Sequence, residues 1–212
     1  MKIHDDGGKM KRIVCHGDSL TEGADLDVQY TWPSLVANAL RLEVFNTGIG
    51  GDTSGGMLSR FPSDVLARNP DAVLILGGTN DLWWDLEVNL ILAHIFSMAC
   101  QARHQRVAPI IGLPIPLYMP ALEKQDFFQP LGGYQACLAK LARLVESLRE
   151  TAAQNDLPVV DFNSLFLDAQ GTVRGEYYLP DGLHPNREGH RRMAQTVVLI
   201  LRSVFHVEGI GQ

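Results

Sequence analysis

The sequence contains few cysteines, no long apolar segment and no excess of positive charge, and each absence excludes a class of protein. Three cysteines stand far apart among 212 residues without a C-x-x-C pair, which argues against a disulfide framework and a cysteine-rich zinc site. No apolar run approaches the roughly 18 residues needed to span a bilayer. The formal net charge is -6, so the chain has no general attraction to nucleic-acid phosphates or anionic lipid. We therefore expect no nucleic-acid partner and no integral membrane segment.

The first ten residues lack the apolar stretch of a secretory signal and instead contain Asp5, Asp6, Gly7 and Gly8. Together with the unpaired cysteines, this predicts a cytoplasmic protein, with secretion left open if a leader precedes the natural chain. Hydrophobic residues make up 46% and charged residues 20% of the sequence, a balance typical of ordered globular chains. The length suits a single domain over residues 1–212.

Short apolar runs alternate along the chain with longer amphipathic stretches. The predicted strands are residues 12–16, 42–46, 72–76, 107–113 and 158–162, and they read as buried on both faces. The predicted helices are residues 32–40, 55–68, 86–103, 131–153 and 186–205, the last with Asn186 as its N-cap. This alternation predicts an α/β fold whose parallel, five-stranded, flavodoxin-like sheet has the order 2-1-3-4-5. The loops after strands 1, 2 and 3 should then carry the chemistry.

Two stretches, residues 114–130 and 162–184, do not follow the alternation. Residues 114–130 contain four prolines and several aromatic side chains. A connection of this length in a compact domain is usually functional or disordered. The first stretch is either a segment that lines a substrate site or a surface loop over a small apolar cluster, and the sequence leaves open whether it moves as a lid.

A serine follows the first predicted strand, in the run His16-Gly17-Asp18-Ser19-Leu20. Its place at a strand-to-helix corner suits a nucleophile, because its own backbone N–H faces the same space. The alternative is a serine that caps a helix. Thr21 stands where the G-x-S-x-G turn of α/β-hydrolases has its second glycine, so that turn is excluded.

The loops after the second and third predicted strands offer hydrogen-bond donors. Glycines at positions 48, 50 and 51 let backbone N–H groups approach a ligand, but the dinucleotide pattern G-x-G-x-x-G fails at Thr53. We therefore expect no dinucleotide cofactor. After the third strand, the amide of Asn80 is either an oxyanion donor or part of an ordinary Asx-turn. Asp81 is predicted to brace this loop.

A D-x-x-H pattern, Asp181 to His184, stands late in the chain just before Pro185. In a tight turn the carboxylate can accept a hydrogen bond from Nδ1–H of the imidazole, which leaves Nε2 as a base. The alternative is a local hydrogen bond without chemistry. A zinc site using His184 and His190 lacks the i, i+4 spacing and a third ligand, so no metal is predicted.

Taken together, the residues of these motifs are predicted to form one reaction site. Ser19 would attack a carbonyl, His184 would take its proton, and Asp181 would orient the imidazole. The oxyanion hole would consist of the backbone N–H groups of Ser19 and Gly51 and the side-chain amide of Asn80.

This set of motifs resembles the SGNH, or GDSL, hydrolase family. The matching blocks, in chain order, are Gly17-Asp18-Ser19-Leu20, Asn46-x-Gly48-x-x-Gly51, Gly78-x-Asn80-Asp81 and Asp181-x-x-His184-Pro185. The resemblance covers nearly the whole chain. It implies a three-layer α/β/α sandwich, hydrolysis of esters by acyl transfer to Ser19, and no cofactor.

Within the family, Thr31-Trp32-Pro33 and Gly51-Asp52-Thr53 are similar to the bacterial thioesterase/lysophospholipase branch. That likeness implies a serine esterase acting on small-molecule carboxylic esters, with thioesters and lysophospholipids as further substrates. A carbohydrate O-acetylesterase with the same catalytic residues is the alternative, and a non-catalytic binding protein is a second one.

The expected substrate-binding residues come from the segment after Asn80 and from the long loop. They are Trp83, Trp84, Ile115, Leu117 and Tyr118, and Met57 and Leu58 would extend an apolar groove. One of the two tryptophans should pack against the following helix while the other faces the pocket. The natural substrate, the acyl-chain length and the oligomeric state stay open at this point.

Overall fold

The computed structural model describes residues 10–126 and 128–205 and contains a five-stranded parallel sheet. The strands are β1 (Arg12–Gly17), β2 (Glu43–Gly48), β3 (Ala72–Leu76), β4 (Ala108–Leu113) and β5 (Val159–Asp161). Their order is β2-β1-β3-β4-β5, and every neighbouring pair is parallel. The predicted fold class and strand order are confirmed. Residues 1–9, where the sequence shows no secretory signal, lie outside the described residues.

Five longer helices correspond to the five predicted ones. They are α2 (Trp32–Leu40), α3 (Ser54–Asp64), α5 (Val88–His104), α7 (Gly133–Gln154) and α9 (Arg187–Val204). The prediction extended α3 to residue 68, but α3 ends at Asp64 and a separate 3-10 turn, Leu66–Arg68, follows it. Asn69 closes that turn in the left-handed region, with φ 47. Asn186 caps α9 as expected, because its side chain accepts from the backbone N–H groups of Glu188 and Gly189.

Four short helices among the described residues were not predicted. They are α1 (Ser19–Glu22), α4 (Thr79–Trp83), α6 (Met119–Leu122) and α8 (Phe162–Leu165). Each has only four or five residues, which is too short for an apolar repeat of 3.6 to show in the sequence. Two of them, α1 and α4, begin directly after β1 and β3 and carry Ser19 and Asn80.

Helices cover both faces of the sheet, which explains the continuous apolar runs of the central strands. In β3, Val73 and Ile75 face the layer formed by α3, α5 and α7, while Leu74 and Leu76 face the layer of α2, α8 and α9. The three-layer arrangement is therefore confirmed. The prediction that all strands are buried on both faces was wrong for β2 and β5, because they form the two edges of the sheet and are only partly buried.

Among the described residues, no helix combines the length and apolarity that crossing a membrane requires.

Because all five strands are parallel, their carboxyl ends lie together at one end of the sheet. Consequently, the segments that follow β1, β2 and β3 lie beside one another there, as expected for sheets of this topology.

Candidate active site

Ser19 is the first residue of α1, and it does not cap that helix. The cap is Asp18, whose carboxylate accepts a hydrogen bond from the backbone N–H of Leu20 at 2.9 Å. The capping interpretation of Ser19 was therefore wrong. Because Asp18 takes the capping role, the hydroxyl of Ser19 is available to other partners.

The imidazole of His184 contacts both a hydroxyl and a carboxylate. Its Nε2 lies 2.9 Å from Oγ of Ser19. Its Nδ1 lies 2.7 Å from one carboxylate oxygen of Asp181. The other oxygen of Asp181 accepts from the backbone N–H groups of Leu183 and His184, at 2.8 and 2.9 Å. The D-x-x-H turn therefore fixes the ring so that Nδ1–H donates to Asp181 and Nε2 is directed at Ser19.

The surroundings of His184 favour its protonated form. Burial by itself lowers the pKa of this imidazole, but the hydrogen bond and charge of Asp181 outweigh burial, and Asp18 and Asp25 add to them. The net pKa is raised above its ordinary value. For Asp181, burial favours the neutral acid, yet the hydrogen bonds from His184 and Leu183 lower its pKa overall. The pair thus consists of a strengthened base and an ionised carboxylate.

The loop after β2 packs closely against α1. The side chain of Asn46 donates to the carbonyl of Thr21 at 2.8 Å and accepts from the N–H of Gly48 at 2.9 Å. A Cβ at Gly48 would lie 2.2 Å from the backbone nitrogen of Glu22, so only glycine permits this approach. Gly51 has φ +76, and among the described residues no group accepts its backbone N–H. This N–H is therefore available to a ligand.

The loops after β2 and β3 are joined by hydrogen bonds. The side-chain amide of Asn80 donates to the carbonyl of Asp52 at 2.9 Å, which uses one of its two N–H bonds. The fully buried carboxylate of Asp81 accepts from the backbone N–H of Ser54 at 2.8 Å and from its hydroxyl at 2.5 Å. Asp81 therefore makes the bracing contacts predicted for it. Burial raises its pKa despite these hydrogen bonds.

A cavity of about 360 Å³ opens beside Ser19. Its polar end holds Asp18, Ser19, Thr79, Asn80 and His184, and its apolar walls are Leu20, Trp83, Ile115, Leu117, Phe128 and Leu183. Three of the expected substrate-binding residues, Trp83, Ile115 and Leu117, line it. The cavity thus has a reactive end and an apolar body.

Other residues expected at this pocket lie elsewhere. Trp84 directly follows α4 with 51% of its surface exposed, and its ring packs against Phe128 outside the cavity. Tyr118 does not line the cavity; it stacks on Tyr178, with ring centroids 5.8 Å apart. Met57 is fully buried in the core on the α3 face, and Leu58 packs against that core, so neither extends the groove. The sequence did not show which of these side chains would be buried in the core and which would face outward.

Sequence reasoning missed three features of the site. Leu20 and Leu183 line the cavity, and their adjacency to Ser19 and His184 was the available signal. Asp18 is fully buried at the cavity; one of its carboxylate oxygens has no hydrogen-bond partner among the described residues, and burial raises its pKa to about 7. Asp25, an exposed residue with φ 62, was also missed.

Asp25, Asp181 and His184 could hold a cation, because their ligand atoms all lie within 4.8 Å of one another. However, both ring nitrogens of His184 already contact Asp181 and Ser19. A metal ion would have to break one of these contacts, so the arrangement serves the imidazole better than a cation.

A comparison with protein families identifies the family of this chain. A model described as the GDSL-like Lipase/Acylhydrolase family matches residues 15–192. The protein belongs to this family. The resemblance seen in the sequence motifs is confirmed, as is the expectation of an enzyme that hydrolyses ester bonds.

Relatives of this GDSL hydrolase carry esterase names. It is 38% identical to an arylesterase of Vibrio mimicus over 76 residues, which are 34% of this chain and only 38% of that protein's length. It is 27% identical to esterase TesA of Pseudomonas aeruginosa over 191 residues, covering 87% of this chain and 85% of TesA. Among solved structures, a GDSL-like lipase of Bacteroides thetaiotaomicron is 25% identical, with a TM-score of 0.75 and 92% of this chain and 89% of that chain covered.

Proposed function

We propose that this GDSL hydrolase is a serine esterase that forms an acyl-enzyme on Ser19. The observation that carries the proposal is the continuous contact from Oγ of Ser19 through the imidazole of His184 to the carboxylate of Asp181, with distances of 2.9 and 2.7 Å. A nucleophile, a base and an orienting acid in hydrogen-bond contact are the arrangement that nucleophilic acyl transfer needs.

In the first half of the reaction, Nε2 of His184 removes the proton of the Ser19 hydroxyl as Oγ bonds to the ester carbonyl carbon. The carbonyl oxygen becomes an anion, and the N–H groups of Ser19 and Gly51 and the free N–H of the Asn80 amide donate to it. The bond to the leaving group then breaks, and the imidazolium of His184 gives its proton to the departing alcohol. Asp181 stabilises that imidazolium throughout.

In the second half, a water molecule attacks the acyl-enzyme. His184 takes a proton from this water, and the oxyanion is again held by the donors of Ser19, Gly51 and Asn80. When the bond to Oγ breaks, His184 returns the proton to Ser19. The carboxylic acid leaves, and no cofactor takes part in any step.

The cavity favours substrates with an apolar acyl or aryl group. Its body is lined by Leu20, Trp83, Ile115, Leu117 and other apolar side chains, so burying hydrocarbon there is favourable and burying a polyhydroxylated sugar is not. The volume of about 360 Å³ suits a group of moderate size. We therefore expect carboxylic esters of this kind, in line with the esterase names of the Vibrio mimicus and Pseudomonas aeruginosa relatives, with thioesters and lysophospholipids as further substrates.

The test is hydrolysis of p-nitrophenyl esters from acetate to palmitate by wild type, by Ser19→Ala and by Ser59→Ala. Ser59 is an exposed serine of α3 whose hydroxyl bonds only to the carbonyl of Gly56, so it controls for the substitution itself. We expect turnover to vanish in Ser19→Ala, to persist in Ser59→Ala, and to peak at an acyl length above acetyl. Full turnover by Ser19→Ala would exclude this serine as nucleophile.

Two other outcomes would support a different function. A sharp optimum at acetate, with release of acetate from acetylated sugars, would identify a carbohydrate O-acetylesterase using the same residues. No turnover of any ester by the folded wild type would favour a binding protein that retains the fold.

A further inference from the structure

One arginine of α3 contacts the segments on both sides of the candidate oxyanion site. The guanidinium of Arg60 donates to the backbone carbonyl of Gly17 at 2.9 Å and to that of Thr47 at 2.7 Å. It also pairs with the carboxylates of Asp52 at 2.7 Å and Asp64 at 2.9 Å. Its side chain is only 15% exposed. All three nitrogens of the guanidinium are therefore engaged in a largely buried position.

The positions of these partners in the chain show what Arg60 joins. Gly17 ends β1 two residues before Ser19, and its carbonyl also accepts the N–H of Ile49 at 3.1 Å. Thr47 lies near the end of β2, and Asp52 directly follows Gly51. The backbone carbonyl of Asp52 in turn accepts the Asn80 amide at 2.9 Å. One side chain thus connects the segments that carry all three proposed oxyanion donors.

Only arginine has the geometry for this role. Its planar fork offers five N–H bonds in fixed directions, and Arg60 makes four hydrogen bonds with this fork, to two carbonyls and two carboxylates. A lysine would keep the charge but could reach at most part of this set with its three rotatable donors. Replacing the fork therefore loosens the connection between loops while preserving the ion pair.

We propose that Arg60 is a positioning residue that fixes the relative placement of the N–H groups of Ser19 and Gly51 and the amide of Asn80. The inference rests on the proposed function, since it concerns the oxyanion site of the Ser19 reaction. Arg60 touches neither the cavity nor His184. It acts through Gly17, Asp52 and their neighbours, which position the oxyanion donors. Its effect is therefore on the stabilisation of the oxyanion, whose charge develops only during the reaction.

This placement predicts a specific kinetic pattern. Oxyanion donors stabilise the tetrahedral intermediate more than the bound ester, so misplacing them lowers kcat while KM changes little. Since removing one donor outright costs roughly 100- to 1000-fold in kcat, loosening the set should cost roughly 10- to 100-fold. The pH at which kcat/KM falls should not move, because Arg60 does not face His184.

The experiment compares Arg60→Lys with Arg12→Lys in the best ester of the p-nitrophenyl series. Arg12 is a matched control, because it joins the same two strands at their opposite ends through Glu43 at 2.8 Å. Its guanidinium also donates to the carbonyl of Arg68, in the 3-10 turn after α3, at 2.7 Å. Thermal unfolding is measured for both variants. We expect Arg60→Lys to lose kcat with KM and the pH profile unchanged, to bind a boronic-acid inhibitor correspondingly less tightly, and Arg12→Lys to keep its kcat.

Coupling to Asn80 separates positioning from general damage. If Arg60 acts on the oxyanion donors, Arg60→Lys should cost less in an Asn80→Ala background than in wild type. If Arg60→Lys does not fold, Asp52→Asn weakens the same connection and should show the same kcat-selective loss. Unchanged kcat in the folded variants, a fully additive loss with Asn80→Ala, or an equal loss in Arg12→Lys would overturn the inference. Retained activity in Ser19→Ala would instead overturn the proposed function itself.

Discussion

Nε2 of His184 lies 2.9 Å from the hydroxyl oxygen of Ser19, although the two residues are 165 positions apart in the chain. Ser19 is placed by the end of the central strand β1, and His184 by the tight turn that precedes α9. The end of β1 and the turn before α9 therefore set the distance between these two side chains. Because both residues are only partly buried, a substrate can reach the contact from the cavity.

The pH dependence of the reaction follows from the raised pKa of His184. The base must be neutral to accept the Ser19 proton, and its pKa lies above the ordinary histidine value because Asp181 outweighs the effect of burial. We expect kcat/KM to fall as the pH decreases, with a midpoint above about 6.5. A pH series with a p-nitrophenyl ester and an identical series with Asp181→Asn measure it. A rate that stays level down to pH 5 would contradict His184 as the base.

A second carboxylate near the imidazole should tune that midpoint. One carboxylate oxygen of Asp25 lies within 4.8 Å of ligand atoms of Asp181 and His184, and the charge of Asp25 contributes to the raised pKa of His184. The buried carboxyl of Asp18 also raises the pKa of this ring, whereas burial and the charge of His184 lower the pKa of the neighbouring His190. We expect Asp25→Asn to move the midpoint of kcat/KM to lower pH, because it removes a charge that favours the imidazolium.

Salt and a neighbouring aspartate provide the controls for Asp25. Since Asp25 is exposed, the difference between variant and wild type should shrink at 1 M salt, where the Debye length is about 3 Å. Asp27→Asn removes a charge two residues further along, beside Arg187 at 3.8 Å, and should leave the midpoint where it is. An unchanged midpoint in Asp25→Asn at low salt would show that solvent screens this charge fully.

The buried carboxyl of Asp18 should make stability depend on pH. Burial raises its pKa to about 7, so the folded protein holds a proton that the unfolded chain releases at a lower pH. With the native pKa above the unfolded value, this group favours folding less as the pH rises from about 4 towards 7. Asp18→Asn keeps the capping oxygen for Leu20 but cannot ionise. Its stability relative to wild type should therefore grow with pH.

Chemical denaturation at pH 5 and pH 8 measures this effect. The difference in unfolding free energy between Asp18→Asn and wild type should increase by on the order of 2 kcal/mol between the two pH values. The change with pH is the informative quantity, because the cost of burying the amide is the same at both. Asp156→Asn, at an exposed position, should show no such change. A constant difference for Asp18→Asn would mean that the native carboxyl is ionised at pH 5.

The long elements and the local motifs could be predicted from the sequence, because each depends on neighbouring residues. The apolar repeats of α7 and α9 and the continuous run of β3 show their structure directly. The Asp181–His184 contact lies within a four-residue turn, so spacing alone indicates it. Contacts of this range need no knowledge of how the chain packs.

The walls of the cavity and the role of Arg60 could not be predicted in the same way. Trp83 and Trp84 are adjacent, yet only Trp83 lines the cavity, because α4 is a short helix whose orientation is set by packing against α7. Tyr118 faces Tyr178 instead of the cavity for a similar reason. Apart from Asp64, which lies one turn away on α3, the partners of Arg60 come from β1, from β2 and from the loop after β2. No sequence period relates such residues, so only the assembled fold reveals them.

Trp83 should limit the size of the group that the cavity accepts. Its ring lines the cavity, and its indole N–H donates to the carbonyl of Phe128 at 2.7 Å, while the N–H of Leu131 donates to the carbonyl of Trp83 at 3.0 Å. The indole therefore both fills space and holds the end of the long loop in place. Trp83→Phe removes the hydrogen bond and part of the ring, so the preferred acyl length in the p-nitrophenyl series should increase.

Trp84→Phe is the matched control for Trp83→Phe, because Trp84 is the adjacent tryptophan and packs against the ring of Phe128 without lining the cavity. It should leave the preferred acyl length unchanged. Replacing a large apolar side chain by a smaller one in a packed wall typically lowers the stability as well. Both variants are therefore first compared with wild type by thermal unfolding. If Trp83→Phe folds normally and keeps the wild-type preference, the apolar group of the substrate does not extend to Trp83, and other lining residues such as Ile115 and Leu117 set the length instead.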